Sequence, residues 1–255
     1  MGKADLHVHS VWSDGMATVR EIMEFAGAET DLDVIAIADH DQVRGALEAV
    51  EWCAGRPGVR PAAIVATEIS AAWGRHVLAL FFREPYPTQP FPRFRSLART
   101  AALVKEAGGI VAIPHPLSAL VPSVGRRAFA ALLAREVASG VVEAIEVCSG
   151  VVGGRRAEPQ LRALNEAYWH LARLGSSDAH HLAQIGSAFT TFAGTTPDDL
   201  QRAIVDRATE AHWGTAVRVA PAAHVRQSWR SLVVKPAREV RSALWPRGSR
   251  RRPSA

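Results

Sequence analysis

Cysteine is nearly absent from this sequence: Cys53 and Cys148 are the only two in 255 residues. One pair cannot staple a chain of this length, so stability must come from a hydrophobic core, and a reducing, cytoplasmic location is the expectation. Long apolar runs are missing too. "VLALFF" at residues 77–82 is among the longest, far short of the roughly 18–20 residues that a membrane helix needs. Distinctive residues follow Met1 almost at once, so a secretory signal, with its charged and apolar regions, is not expected. Acidic residues are scarce in one region only. From Thr215 onward ten Lys/Arg face a single acid, Glu239, a charge of +9, while the other 20 Lys/Arg and 24 Asp/Glu give residues 1–214 a charge of −4. The net +5 therefore describes neither part.

What is present is ample core material, with 48% hydrophobic and 22% charged residues, and a regular alternation of elements. "ADLHVH" is a strand. Thr18 and Glu21 form a capping-box pattern ahead of a helix reaching about Glu29. "DVIAIAD" is a buried strand and residues 43–54 a helix. "AAIVATEIS" and "RHVLALFF" are strands with no helix between them. Residues 94–107 are helical, "GGIVAIPHP" is a strand, and a helix follows near residues 126–139. "VEAIEVCS" is a strand, residues 158–174 a helix, "LGSSDAH" a strand and residues 197–206 a helix. Strands separated by helices imply right-handed crossovers and a parallel sheet. About seven of them point to an α/β fold, a closed or nearly closed β/α barrel, whose chemistry gathers at the C-terminal ends of the strands.

Ligand-type residues collect at those ends. His7 and His9 stand two apart in a strand and face the same way; by themselves they fit buried core imidazoles as well as metal ligands. Asp14 lies in the turn that follows. "ADHD" sets Asp39, His40 and Asp41 after an apolar strand, where buried charge is costly unless paired or metal-bound. Glu68 ends "AIVATE", His76 opens the next strand, His115 ends "IVAIPHP", and "SSDAHH" supplies Asp178 and His180. Mixed imidazole and carboxylate sets suit Zn, Mn or Fe. Nine ligands exceed the capacity of one ion, so two or three are expected. His170, His181, His212 and His224 read as structural or surface residues.

In this order and on these strand ends, "DLHVHSVWSDG", "ADHD", "ATEIS", "IPHP" and "SSDAH" resemble the PHP (polymerase and histidinol phosphatase) family over about residues 3–214. The resemblance implies a distorted (β/α)7 barrel in residues 1–214, and the sequence beyond it reads as a basic helical extension, residues 215–255, partly disordered at its end. It implies that His7 and His9 share one ion with Glu68 and Asp178, that Glu68 bridges to a second ion held by His76 and His115, and that Asp14, His40 and His180 hold a third. Some members carry histidine at the position of Asp14. Degenerate members lose several ligands and this chain keeps all nine, which implies an active enzyme. Glu68, Asp178 and His180 would then act through the metal cluster. Asp39 and Asp41 would orient His40 from outside, or simply cap the turn.

The reaction so implied is hydrolysis of a phosphate monoester by a metal-activated hydroxide. Arg75, Arg155 and Arg156 are candidate phosphate contacts, because the guanidinium fork suits phosphate oxygens, although such arginines are more often solvated surface charge. Ser149 would line the pocket where many relatives carry asparagine. The short segment between Glu68 and His115 resembles nucleotide-directed members, so AMP or a nucleoside 3',5'-bisphosphate is the leading substrate class. Histidinol phosphate, 5'-end trimming of oligonucleotides and an inactive metal-binding module are the alternatives. In residues 222–245, apolar residues among arginines form an amphipathic basic helix broken at Pro236. It could pack on the barrel or contact nucleic acid or an anionic membrane.

Overall fold

The structure, a computed structural model, describes residues 1–117 and 140–215. The helix expected near residues 126–139 and the basic extension beyond Thr215 lie outside the described residues. Among the described residues nine strands form one sheet: β1 (Gly2–Val8), β2 (Val34–Ile37), β3 (Ala62–Ala71), β4 (Arg75–Phe81), β5 (Ile110–Ile113), β6 (Ala144–Ser149), β7 (Ala172–Ser176), β8 (Ala188–Phe192) and β9 (Glu210–Trp213). Their order is β7-β6-β5-β4-β3-β2-β1-β8-β9. The sheet curls until the chain beyond β7 meets β1. There His9 N donates to Ala179 O (2.8 Å), Ala179 N donates to His7 O (3.2 Å), and Val8 and Ala179 form a parallel bridge. The result is a nearly closed α/β barrel.

The expected all-parallel sheet of about seven strands needs correction. β1 to β3 are parallel, as are β5 to β7, but β4 runs antiparallel to both its neighbours. Only Ala72–Gly74 joins β3 to β4, too short for a crossover, so the chain must return as a hairpin. β8 and β9, absent from the sequence reading, extend the β1 edge in antiparallel fashion.

Five helices are described: α1 (Val19–Glu29), α2 (Arg44–Ala54), α3 (Leu97–Glu106), α4 (Gly154–Leu164) and α5 (Pro197–Val205). The Thr18–Glu21 capping box starts α1 as expected. The helix expected over residues 158–174 is displaced: α4 begins at Gly154 and gives way to a π turn at Asn165–Trp169. The Asn165 amide group ends it there. Its Nδ2 donates to Leu171 O and its Oδ1 accepts from Leu171 N, both at 2.9 Å, while His170 turns left-handed at φ 51°.

Alternation along the strands explains where the site falls. Inward-facing rows, Ala36 on β2 with Ala38 just past its end, Ile64–Ala66 on β3 and Leu80–Leu78 on β4, pack into one interior cluster of small and branched residues. The next residue of each row, two positions on, is His40, Glu68 or His76. Intervening residues such as Ile35 and Ile37 pack outward with α1. On β1 a register slip between Asp5 and Val8 breaks this rhythm: Leu6 belongs to the interior cluster and Val8 to the outer one. A bulge re-aims side chains in this way, and here it turns His7 and His9 inward.

Candidate metal centre

All nine candidate ligands converge at the barrel mouth. Glu68 is the hub. Its Oε1 lies 2.6 Å from His76 Nδ1 and 3.0 Å from His115 Nε2, and its Oε2 lies 3.2 Å from His7 Nε2, 3.1 Å from His40 Nδ1 and 3.5 Å from His9 Nε2. Asp178 Oδ1 stands 2.9 Å from His9 Nε2 and 3.6 Å from His7 Nε2. Asp14 Oδ1 stands 3.4 Å from His180 Nε2 and 3.8 Å from His40 Nε2. Ligand atoms close enough to share an ion form four overlapping sets: His9–Asp14–His40–His180, His7–His9–Asp178, His7–Glu68–His115 and His40–Glu68–His76. His76 and His115 thus fall into separate sets, each with Glu68.

The residues fit divalent cations on three counts. Atoms coordinated about 2.0–2.2 Å from one ion are separated by roughly 3.0–3.5 Å, and the 2.6–3.8 Å separations here bracket that range. Second, His7 Nε2 and His76 Nδ1 are buried and make no hydrogen bond, although each faces Glu68. Third, the opposite ring nitrogens are held from outside. His7 Nδ1 donates to Glu146 Oε1 (2.9 Å) and His180 Nδ1 donates to the Asp178 carbonyl (2.9 Å). His9 Nδ1 reaches Ser13 Oγ (3.4 Å), which donates to Asp39 Oδ1 (2.5 Å). Such outer bonds fix the tautomer and leave Nε2 as a lone pair aimed inward.

Electrostatics agree. Burial opposes charge on Glu68, yet the rings of His76, His40 and His7 hold its carboxyl well below the usual range. Burial likewise opposes charge on Asp14 and Asp178, but His180 and His40 lower the first and His7 and His9 the second. Burial would depress His180, but Asp14 and Asp178 push it up to about 9. Ionised carboxylates that draw protons onto the imidazoles around them form a cavity that also attracts cations, which compete with those protons. Asp178 (φ 49°) and His115 (φ 29°) hold left-handed backbone, a strain typical of functional sites.

The remaining candidates are placed as follows. Asp39 accepts from Ser10 N (2.8 Å), Ser10 Oγ (2.6 Å) and Ser13 Oγ, and Asp41 accepts from Ser70 N (2.7 Å) and Ser70 Oγ (2.8 Å). The two acids brace the loops on either side of His40. Ser149 is buried beside His115, Glu146 and Gly154, lining a small cavity. Arg75 is half-buried at the start of β4. Arg155 and Arg156 are exposed in the first turn of α4 rather than in a loop, and the Arg155 guanidinium lies 4.2 Å over the Trp213 ring, a contact that engages its charge with β9. His181 is half-buried.

Sequence reasoning missed Glu146. Fully buried, it accepts from His7 Nδ1 through one oxygen and from His115 N (2.9 Å) through the other. The signal was an acid between Ile145 and Val147 in an apolar strand. It also missed Ser10, Ser13 and Asp5; Asp5 accepts from Ser177 N and Gly186 N behind the site.

Barrel and centre define a class: α/β barrels with a metal-ligand cluster of imidazoles and carboxylates at the mouth. A profile described as PHP-associated matches residues 167–209. An uncharacterized protein of Methanocaldococcus jannaschii is 30% identical over 138 residues, 50% of this chain and 75% of that one. A 5'-3' exoribonuclease of Haemophilus influenzae is 38% identical over 88 residues, 33% of this chain and 31% of that one. A 3',5'-nucleoside bisphosphate phosphatase of Chromobacterium violaceum is 34% identical over 90 residues, 35% of this chain and 30% of that one. A two-domain protein of Bacteroides vulgatus containing a predicted PHP-like metal-dependent phosphoesterase superposes with a TM-score of 0.60 at 20% identity, covering 89% of this chain and 69% of that one. The chain carries the PHP-associated profile over residues 167–209 and shares its fold with PHP-like metal-dependent phosphoesterases.

Proposed function

We propose that this protein hydrolyses the phosphate monoester of a small nucleotide, such as AMP or a nucleoside 3',5'-bisphosphate, using two to three divalent ions held by the nine residues above. One observation carries this: a single carboxylate, Glu68, divides its oxygens between two sets of imidazoles, an arrangement suited to bridging two cations. The likeness to the bisphosphate phosphatase, over about a third of each chain, supports the nucleotide class.

When bound, the ions would acidify water and neutralise the phosphate oxygens. The protein's own residues do the rest. Glu68 fixes the spacing between ion sites, and Asp178 joins the first set to His9. Glu146, Ser13 and the Asp178 carbonyl keep the His7, His9 and His180 tautomers turned inward. Arg75 at the start of β4 and Ser149 at the end of β6 would meet the substrate beyond the ligands.

The 5'-3' exoribonuclease likeness favours a second reading, trimming of short 5'-phosphorylated RNA. The basic extension beyond Thr215 would then contact the backbone. Phosphate release from AMP, a 3',5'-bisphosphate and a 5'-phosphorylated trinucleotide, measured together with bound metal, decides between them. Release from mononucleotides with intact RNA supports the monoesterase. Shortening of the RNA by single nucleotides supports the nuclease. Fewer than two ions per chain would overturn both.

A further inference from the structure

Two aromatic side chains are largely exposed at the mouth. Trp73, in the connection between β3 and β4, is 90% exposed, and Phe94, in the segment ahead of α3, is 67% exposed. Both hold left-handed backbone, φ 64° and 57°, which bulky residues adopt only where their surroundings enforce it. The backbone brings the two segments together. Phe94 N donates to Ser70 O (2.8 Å) and Ala72 N donates to Arg95 O (2.7 Å), so residues 94–95 run beside the rising end of β3.

That hairpin is the one that carries Glu68 and His76, and Ser70 pairs directly with His76 across it. Trp73 lies three positions before His76, at most about 10 Å of chain at roughly 3.3 Å per residue. This is comparable to the reach from phosphate to base within one nucleotide. The surroundings are cationic: Arg75 follows the tip, the Arg93 guanidinium lies 5.6 Å over the Phe94 ring, and Arg95 is exposed. A protein-docking face calls for a broad apolar patch. Isolated aromatic faces among arginines, one nucleotide's reach from a phosphate-binding centre, match the way single-stranded nucleic acids and nucleotides are held, by base stacking beside cations.

We infer that Trp73 and Phe94 form a stacking subsite for the nucleobase of the substrate, whose phosphate lies at the Glu68–His76 side of the centre. The subsite rests on the nucleotide reading above. It implies that recognition is tolerant of base identity, because every base offers a π face.

The test uses the full-length metal-loaded protein with AMP and ribose 5-phosphate, which differ only by the base. The readouts are kcat/KM for phosphate release and Kd by calorimetry. In Trp73→Ala the ratio of kcat/KM on AMP to that on ribose 5-phosphate should fall about tenfold, mostly through KM. Phe94→Ala should lower it severalfold, and Trp73→Phe should restore most of it. Melting curves will verify that these exposed substitutions leave the fold intact. An unchanged ratio and unchanged Kd in both alanine variants would overturn the subsite while leaving the phosphatase standing. If the wild type released no phosphate but bound AMP more tightly than ribose 5-phosphate in a Trp73-dependent manner, the subsite would stand and the enzymatic reading would fall. Equal wild-type affinity for the two ligands, with or without turnover, would also overturn the subsite.

Discussion

Glu146 grips the centre from beneath with both oxygens: Oε1 accepts from His7 Nδ1 and Oε2 from the His115 backbone, each at 2.9 Å. One buried side chain on β6 thereby positions ligands from β1 and from the end of β5. Replacing it with glutamine keeps the shape but lets an amide donor face the ring, so the His7 tautomer is no longer imposed. Metal affinity in Glu146→Gln should fall about 10–100-fold, read by competition with a chelator dye. Unaltered affinity would show that the ring is oriented by other contacts.

Glu68→Ala removes the carboxylate common to the two sets of imidazoles. Phosphate release should be abolished and bound metal should drop by at least one ion per chain, while circular dichroism stays native. Near-wild-type turnover would contradict a bridging role.

Gly45 makes a close contact behind the site. A Cβ there would lie 2.2 Å from Asp39 Oδ2 and 2.9 Å from Ser10 Oγ, the groups that brace the loop after β1. Gly45→Ala should therefore destabilise by about 1–3 kcal/mol, as overpacking does, seen as a lower urea midpoint. It should also lower metal affinity. A variant as stable as the wild type would mean that the cradle can shift.

Asp199 offers a pH test remote from the metal. As the Thr196 capping-box partner of α5, it accepts from the Thr196 hydroxyl and backbone, and its pKa is lowered from 3.8 to about 2. A depressed folded-state value means stabilisation that is complete above the unfolded value and lost as pH falls through the folded one. The wild type should therefore exceed Asp199→Asn in urea midpoint at pH 6, and the gap should close between about pH 4 and pH 2. A gap independent of pH would assign the effect to shape rather than charge.

The Cys148 thiol is buried, and burial together with the nearby Glu158 carboxylate raises its pKa to about 12. Almost no thiolate exists at neutral pH, so iodoacetamide should leave Cys148 unmodified in the native protein and label it in urea. Rapid native labelling would refute this burial.

The centre was legible in the sequence because ionisable residues at the ends of apolar runs are anomalous, and the same alternation that fills the barrel carries them to its mouth. Glu146 bore that anomaly too, but it lies inside β6 and not at its end, where the ligand-type residues collect. Strand direction was not legible. Periodicity marks β4 as a strand whichever way it runs, and only the three-residue connection dictates its reversal. Pro159, one residue after Glu158, reads as a helix start, which hid the true beginning of α4 at Gly154 and with it the helical setting of Arg155 and Arg156.

The barrel's last seam has a kinetic corollary. His9 lies 169 residues from Asp178, and these two meet at the place where the curled sheet closes. Closing so long a loop carries a large entropic penalty and comes late relative to local pairing, whereas Glu68 and His76 sit on one hairpin and can meet early. An ion already captured by the hairpin would find its remaining ligands only as the ends of the sheet join. Metal uptake during refolding should then proceed in two phases, the slower one reporting closure.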